Sequence, residues 1–167
     1  MSFVSILIGS KSDYEIANEA TKIFKQFEVP YELIISSAHR TPLRTKEYVK
    51  DAESRGAKVF IAMAGMAAHL AGTIAAYTTK PVLGVPMQNN ALAGMDALFS
   101  TVQMPSGVPV ATLAIGKAGV LNSAYLAVQI LAINDERLQQ ALLDDRKSRE
   151  EKLEFDSKNI EVLIEKE

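Results

Sequence analysis

Five short apolar runs alternate with helix-spaced segments along this chain of 167 residues, and that alternation limits the fold more than any other feature. The runs are residues 3–8, 31–36, 58–63, 81–86 and 110–115. Each is short, nearly continuous in apolar character and bounded by Gly, Pro or Ser, the pattern of a strand buried on both faces of a parallel sheet. Between them, Ile16, Ala20, Ile23, Phe24 and Phe27 recur at helical spacing, as do Thr45, Tyr48, Val49 and Ala52. Residues 96–104 predict a short helix and 117–133 a long Ala-rich one. Local punctuation agrees. Ser12 and Glu15 have the form of a capping box, Thr41 and Pro42 suit an N-cap and first helical position, and Gly56 suits a helix end. A β-α unit repeated about five times with short connections predicts an α/β fold: a three-layer α/β/α sandwich with right-handed crossovers.

The last 33 residues, 135–167, carry 18 charges, while residues 59–134 carry only Lys80, Asp96 and Lys117. This contrast predicts a body at 1–134 and a charged helical extension at 135–167. Leu138, Leu142, Leu153, Ile160, Leu163 and Ile164 give the extension a partial apolar stripe. The uncharged stretch is broken by turn residues every ten to fifteen positions, too often for a bilayer span, so no membrane role is expected. Instead it reads as a buried sheet whose helices are partly covered by other subunits. A net charge of −2 argues against a nucleic-acid protein that works by bulk electrostatics. The chain has no cysteine and therefore no disulfide framework or thiolate metal site. No basic segment precedes an apolar one at the start, and a cytoplasmic address is expected.

Three strand-to-helix loops hold the candidate chemistry. Residues 9–13 read Gly-Ser-Lys-Ser-Asp, where Gly9 permits close backbone approach and the following helix offers free N–H groups to an anion. Residues 36–42 read Ser-Ser-Ala-His-Arg-Thr-Pro and place His39 beside Arg40 at the carboxyl end of a strand, where open α/β sheets bind ligands. An imidazole titrates near neutrality and a guanidinium clamps anions, so this pair points to proton transfer on an anionic small molecule. Residues 64–72 read Ala-Gly-Met-Ala-Ala-His-Leu-Ala-Gly and carry His69, which by itself reads as a helix-face histidine satisfied by a backbone carbonyl. No carboxylate is spaced to complete a His-His metal site, so no metal is expected. Gln88, Gln103 and Met104 read as loop or interface groups.

Taken together, these loops resemble the class I N5-carboxyaminoimidazole ribonucleotide mutase family of purine biosynthesis. Residues 81–88 and 102–119 extend the resemblance, which runs from residue 4 to about 132. It implies a flavodoxin-like subunit and a homo-octamer with active sites shared between subunits and a C-terminal helix embracing a neighbour. It also implies an activity without metal or organic cofactor. The reaction moves a carboxylate from an exocyclic nitrogen to a ring carbon of a ribonucleotide, supplied by an ATP-dependent carboxyaminoimidazole ribonucleotide synthetase. By position, His39 matches the general acid/base. Ser10 and Ser12 would hold phosphate or ribose, Asp13 ribose hydroxyls, and Arg40 the phosphate, with Ser37 in the same loop. Ala64, Gly65, His69 and Leu70 would close a small dry chamber.

Two residues depart from the family pattern: Met66 stands where Gly is usual, and Ala71 where Pro is usual. Met66 adds bulk and does not take positive φ cheaply. Two other functions compete with the mutase. One is direct carboxylation of aminoimidazole ribonucleotide by CO2, as in class II members, which have a different third loop. The other is a non-enzymatic flavodoxin-like nucleotide-binding module. A receiver-type module needs several acidic residues at strand ends and this chain offers Asp13 alone; a flavin carrier needs stacking aromatics that the three loops lack.

Overall fold

The computed structural model describes residues 2–88, 91–160 and 162. Strands β1 (Phe3–Ile8), β2 (Tyr31–Ile35), β3 (Ala57–Gly65), β4 (Val82–Met87) and β5 (Ala111–Thr112) form one parallel sheet in the order β2-β1-β3-β4-β5. Helices α1 (Tyr14–Gln26), α2 (Pro42–Arg55), α3 (Leu70–Ala75), α4 (Met95–Val102), α5 (Lys117–Ala132) and α6 (Glu136–Ile160) cover it. This is the expected three-layer, flavodoxin-like arrangement. Its order reverses between β1 and β3, and the crevice at that reversal is where such sheets bind ligands.

Side chains alternate across the strands, so both faces of the sheet are core. Val4, Ile6, Ile8, Val59, Ile61 and Met63 pack with α1 and α5 on one face, around Phe24 and Ala124. Phe3, Leu7, Phe60 and Ala62 pack with α2 and α3 on the other, around Val49 and Ile74. Gly84 in β4 is required by this packing: a Cβ there would lie 2.5 Å from the Thr101 methyl of α4.

Several local expectations change. Ser12 does not cap α1. The Ser10 hydroxyl oxygen accepts from the Ser12 N–H at 3.3 Å and from the Ser12 hydroxyl at 3.0 Å, heading a single 3-10 turn at Lys11–Asp13. Asp13 then occupies the N-cap of α1 without a side-chain cap bond. A nearer acceptor has displaced the Ser12–Glu15 capping box. Thr41 does stand at the N-cap of α2 with Pro42 after it, and Gly56 ends that helix at φ 110°. The Thr41 hydroxyl, however, serves the preceding loop. It accepts from the Ser37 N–H at 3.0 Å and donates to the Ser37 carbonyl at 3.1 Å.

The fifth strand is far shorter than the apolar run at 110–115. Pro86 on β4 is the reason. Gly84 and Pro86 face β5, and the Gly84 carbonyl accepts from the Leu113 N–H at 2.9 Å. Two residues on, Pro86 accepts from Gly116 at 2.9 Å but has no N–H to return, so the ladder ends.

The extension begins within the body. Asp135 Oδ1 accepts from the Leu138 N–H at 3.1 Å and so caps α6, while the Leu138 side chain is buried in the α1/α5 core. Asp145 of α6 accepts from Gln26 of α1 at 2.6 Å, and the Arg149 guanidinium lies 4.7 Å from the Tyr125 ring. Farther along, Leu153, Phe155 and Ile160 are exposed. Leu163 and Ile164 lie outside the described residues. Among the described residues, no helix is long and apolar enough to cross a membrane.

Candidate active site

The carboxyl ends of β1, β2 and β3 deliver the three loops to one cavity of about 660 Å³. All ten candidate residues line it: Ser10, Ser12, Asp13, Ser37, His39, Arg40, Ala64, Gly65, His69 and Leu70. Leu70 does so from the core, with its side chain 2% exposed. A larger cavity, of about 950 Å³, lies at the opposite edge beside the starts of β4 and β5, lined by residues such as Tyr77, Pro81 and Ile130. It contains neither histidine, and strand starts are not where parallel sheets place their chemistry.

Within the 660 Å³ cavity the two histidines meet. His39 Nε2 lies 2.8 Å from His69 Nδ1, with the rings edge to face and their centroids 4.9 Å apart. One of these nitrogens must carry a hydrogen and the other a lone pair. The backbone-carbonyl partner expected for His69 is therefore replaced by a second imidazole from a loop 30 residues away. His69 gets there because β3 ends at Gly65 and two tight turns follow, closed by Ala68 N–H to Met66 O at 2.9 Å and His69 N–H to Ala67 O at 2.8 Å. His39 is held by the Ser37–Thr41 turn. In the same turn the Arg40 N–H donates to the Ser37 hydroxyl at 3.2 Å.

Arg40 also bridges two loops, donating from its guanidinium to the Gly9 carbonyl at 3.0 Å. That bond fixes the side chain at the cavity and leaves other N–H donors of the fork for an anion. Asp13 lines the same cavity and is half-buried. Burial pushes its carboxyl above the ordinary range, and a backbone hydrogen bond from Ser10 partly offsets this. Among the described residues, no three His, Asp or Glu side chains gather as a metal site.

Ile16, Ala38, Ala67, Met87 and Gln88 also line the cavity and were not singled out as site residues from the sequence. Gln88, read there as a loop or interface group, follows β4, whose carboxyl end adjoins β3. That position next to the reversal point was the available signal. The neighbouring Asn89 and Asn90 lie outside the described residues.

A family model described as AIR carboxylase matches residues 3–152. The chain belongs to the AIR carboxylase family. Among relatives, the N5-carboxyaminoimidazole ribonucleotide mutase of Escherichia coli strain K12 is 54% identical over 145 residues, covering 87% of this chain and 86% of that one. The protein of the same name from Pyrococcus horikoshii is 50% identical over 160 residues, covering 96% and 89%. Among solved structures, Treponema denticola PurE superposes with a TM-score of 0.87 at 26% identity, covering 97% of this chain and 100% of that one. The Treponema denticola structure thus shares this fold along nearly the whole chain.

Proposed function

We propose that this protein is an N5-carboxyaminoimidazole ribonucleotide mutase of purine biosynthesis. It interconverts N5-carboxyaminoimidazole ribonucleotide and 4-carboxy-5-aminoimidazole ribonucleotide. The observation that carries the reading is the His39–His69 pair, 2.8 Å apart in a cavity that also holds an anion clamp.

The arrangement divides the work between two ends. Ser10, Ser12 and Arg40 take the phosphate, and Ser37 shapes the loop that carries Arg40. Asp13 accepts from ribose hydroxyls, since a carboxylate facing phosphate would be repelled. His39 protonates the carbamate nitrogen as the N–C bond breaks and CO2 departs. The ring carbon C4 then attacks CO2, and His39 removes the C4 proton. His69 holds the His39 ring in place through its nitrogen contact. Ala64, Gly65 and Leu70 wall the chamber that keeps CO2 beside C4.

The exposed side chains on the distal part of α6 and the nearly uncharged stretch 59–134 support a homo-oligomer, an octamer with shared sites, in which the distal part of α6 packs on a neighbour. A cytoplasmic location and supply by an ATP-dependent synthetase complete the reading.

The test follows interconversion of the two carboxylated nucleotides by purified protein without ATP, biotin or added metal. His39→Asn is expected to lower kcat by about 10²–10⁴-fold with the oligomer intact. Undiminished turnover in that variant would remove His39 from its role. Turnover of aminoimidazole ribonucleotide plus CO2 in preference to the carbamate would favour the direct carboxylase.

A further inference from the structure

Among the described residues, Glu28, Met66 and Ala93 are the non-glycine positions with positive φ, and of these Met66 alone lines the active-site cavity. Its φ is 56°, a left-handed conformation that glycine adopts freely and methionine does not. The turn has little room to relax elsewhere. A Cβ on the preceding Gly65 would sit 3.2 Å from the Met87 carbonyl, so the end of β3 is pressed against β4. Despite this backbone penalty, the Met66 side chain is 67% exposed. A large apolar side chain held in an unfavourable conformation at a pocket mouth, and left mostly in solvent, does not serve the core of its own chain.

We propose that Met66 is a substrate-contacting, specificity-determining residue that lays its thioether over the imidazole ring of the bound nucleotide. This rests on the mutase reading. Met66 sits three residues before His69, so it borders the end of the cavity where carbon and nitrogen react. The charged end belongs to Ser10, Ser12 and Arg40. A flexible, polarizable thioether suits an aromatic ring and is a poor partner for phosphate. Over the ring it excludes water and narrows the exit for CO2. Glycine at this position would relieve the backbone but leave the mouth open.

The experiment compares the wild-type chain with Met66→Gly and Met66→Leu. Each is given N5-carboxyaminoimidazole ribonucleotide labelled with carbon-13 in its carboxylate, in unlabelled bicarbonate. KM, kcat, label retained in 4-carboxy-5-aminoimidazole ribonucleotide, and oligomer mass are read together. Loss of a thioether–ring contact predicts a KM raised about two- to tenfold in Met66→Gly, with less label retained. Leucine keeps the bulk and the same backbone penalty, so it should restore both to within about twofold. Wild-type KM and retention in the glycine variant would overturn the proposal. So would a changed oligomer mass with unchanged KM, which would make Met66 a subunit contact. A wild-type chain that does not interconvert the nucleotides would overturn the functional reading and this proposal with it, whereas an active wild type beside an unaltered glycine variant overturns the proposal alone.

Discussion

Single side chains in this site are held by bonds to backbone groups. The Arg40 guanidinium is anchored on the Gly9 carbonyl of another loop, and the Thr41 hydroxyl is bonded to the Ser37 backbone within its own. Asp13 is the exception, because burial works against its charge. Its folded pKa lies above the ordinary 3.8, so the folded state binds more protons between those two values, and stability falls as pH rises through that window. Asp13→Asn removes the penalty. The variant should melt at a higher temperature than wild type at pH 7, and the gap should close as pH falls to about 3.8 and below. If Asp13 accepts from the ribose hydroxyls as proposed, the variant's KM should rise at the same time. Equal melting curves at pH 7 would show that the carboxylate is fully solvated.

At the level of elements, close approach of backbone decides more than helix or strand propensity. The start of α5 is the sharpest case. A Cβ on Gly119 would stand 1.7 Å from the Ala114 carbonyl oxygen and 3.0 Å from a Val85 methyl. Ala is the better helix former, yet Gly119→Ala must push α5 away from β4 or move residue 114. Overpacking of this kind costs about 1–3 kcal/mol, and chemical denaturation should show a loss in that range. A neutral or stabilising result would mean that the loop before α5 shifts freely. The same logic explains β4, where Gly84 admits α4 and Pro86 stops β5.

For the whole molecule, the question is what covers the distal half of α6. Its proximal half is part of the core through Leu138, but Leu153, Phe155 and Ile160 are 71%, 66% and 80% exposed. Fully burying such side chains is worth about 1.5–3 kcal/mol each, so a neighbouring subunit that covers them gains substantially. Replacing all three, as Leu153→Ser, Phe155→Ser and Ile160→Ser, should lower the assembly mass measured by light scattering. An unchanged mass would place these residues in solvent and remove α6 from the interface. Activity should fall along with the mass if active sites are shared between subunits.

What the sequence determined by itself was the local pattern and what that pattern forces. Short, nearly continuous apolar runs alternating with helix-spaced segments call for a parallel sheet with helices on each side. In such a sheet, the loops after the first three strands must emerge at the same edge. That is why the loops at 9–13, 36–42 and 64–72 group from the sequence alone, while the choice within them of Ser10, Ser12, Asp13, Ser37, His39, Arg40, Ala64, Gly65, His69 and Leu70 as one site rests on the family resemblance. The tertiary structure decided what depends on angstrom-scale register between segments far apart in the chain. Only the pairing of β1 with both β2 and β3 brings His39 and His69 within 2.8 Å, a contact that 30 residues of spacing cannot encode. The choice of Ser10 over Ser12 as a cap is of the same kind, because both hydroxyls were locally eligible. The early end of β5 depends on the sheet order, which sets it beside Pro86, a residue with no N–H to give. Met66 joins both levels. The sequence marked it as the wrong residue for a left-handed turn, and the fold imposes that turn at the mouth of the site.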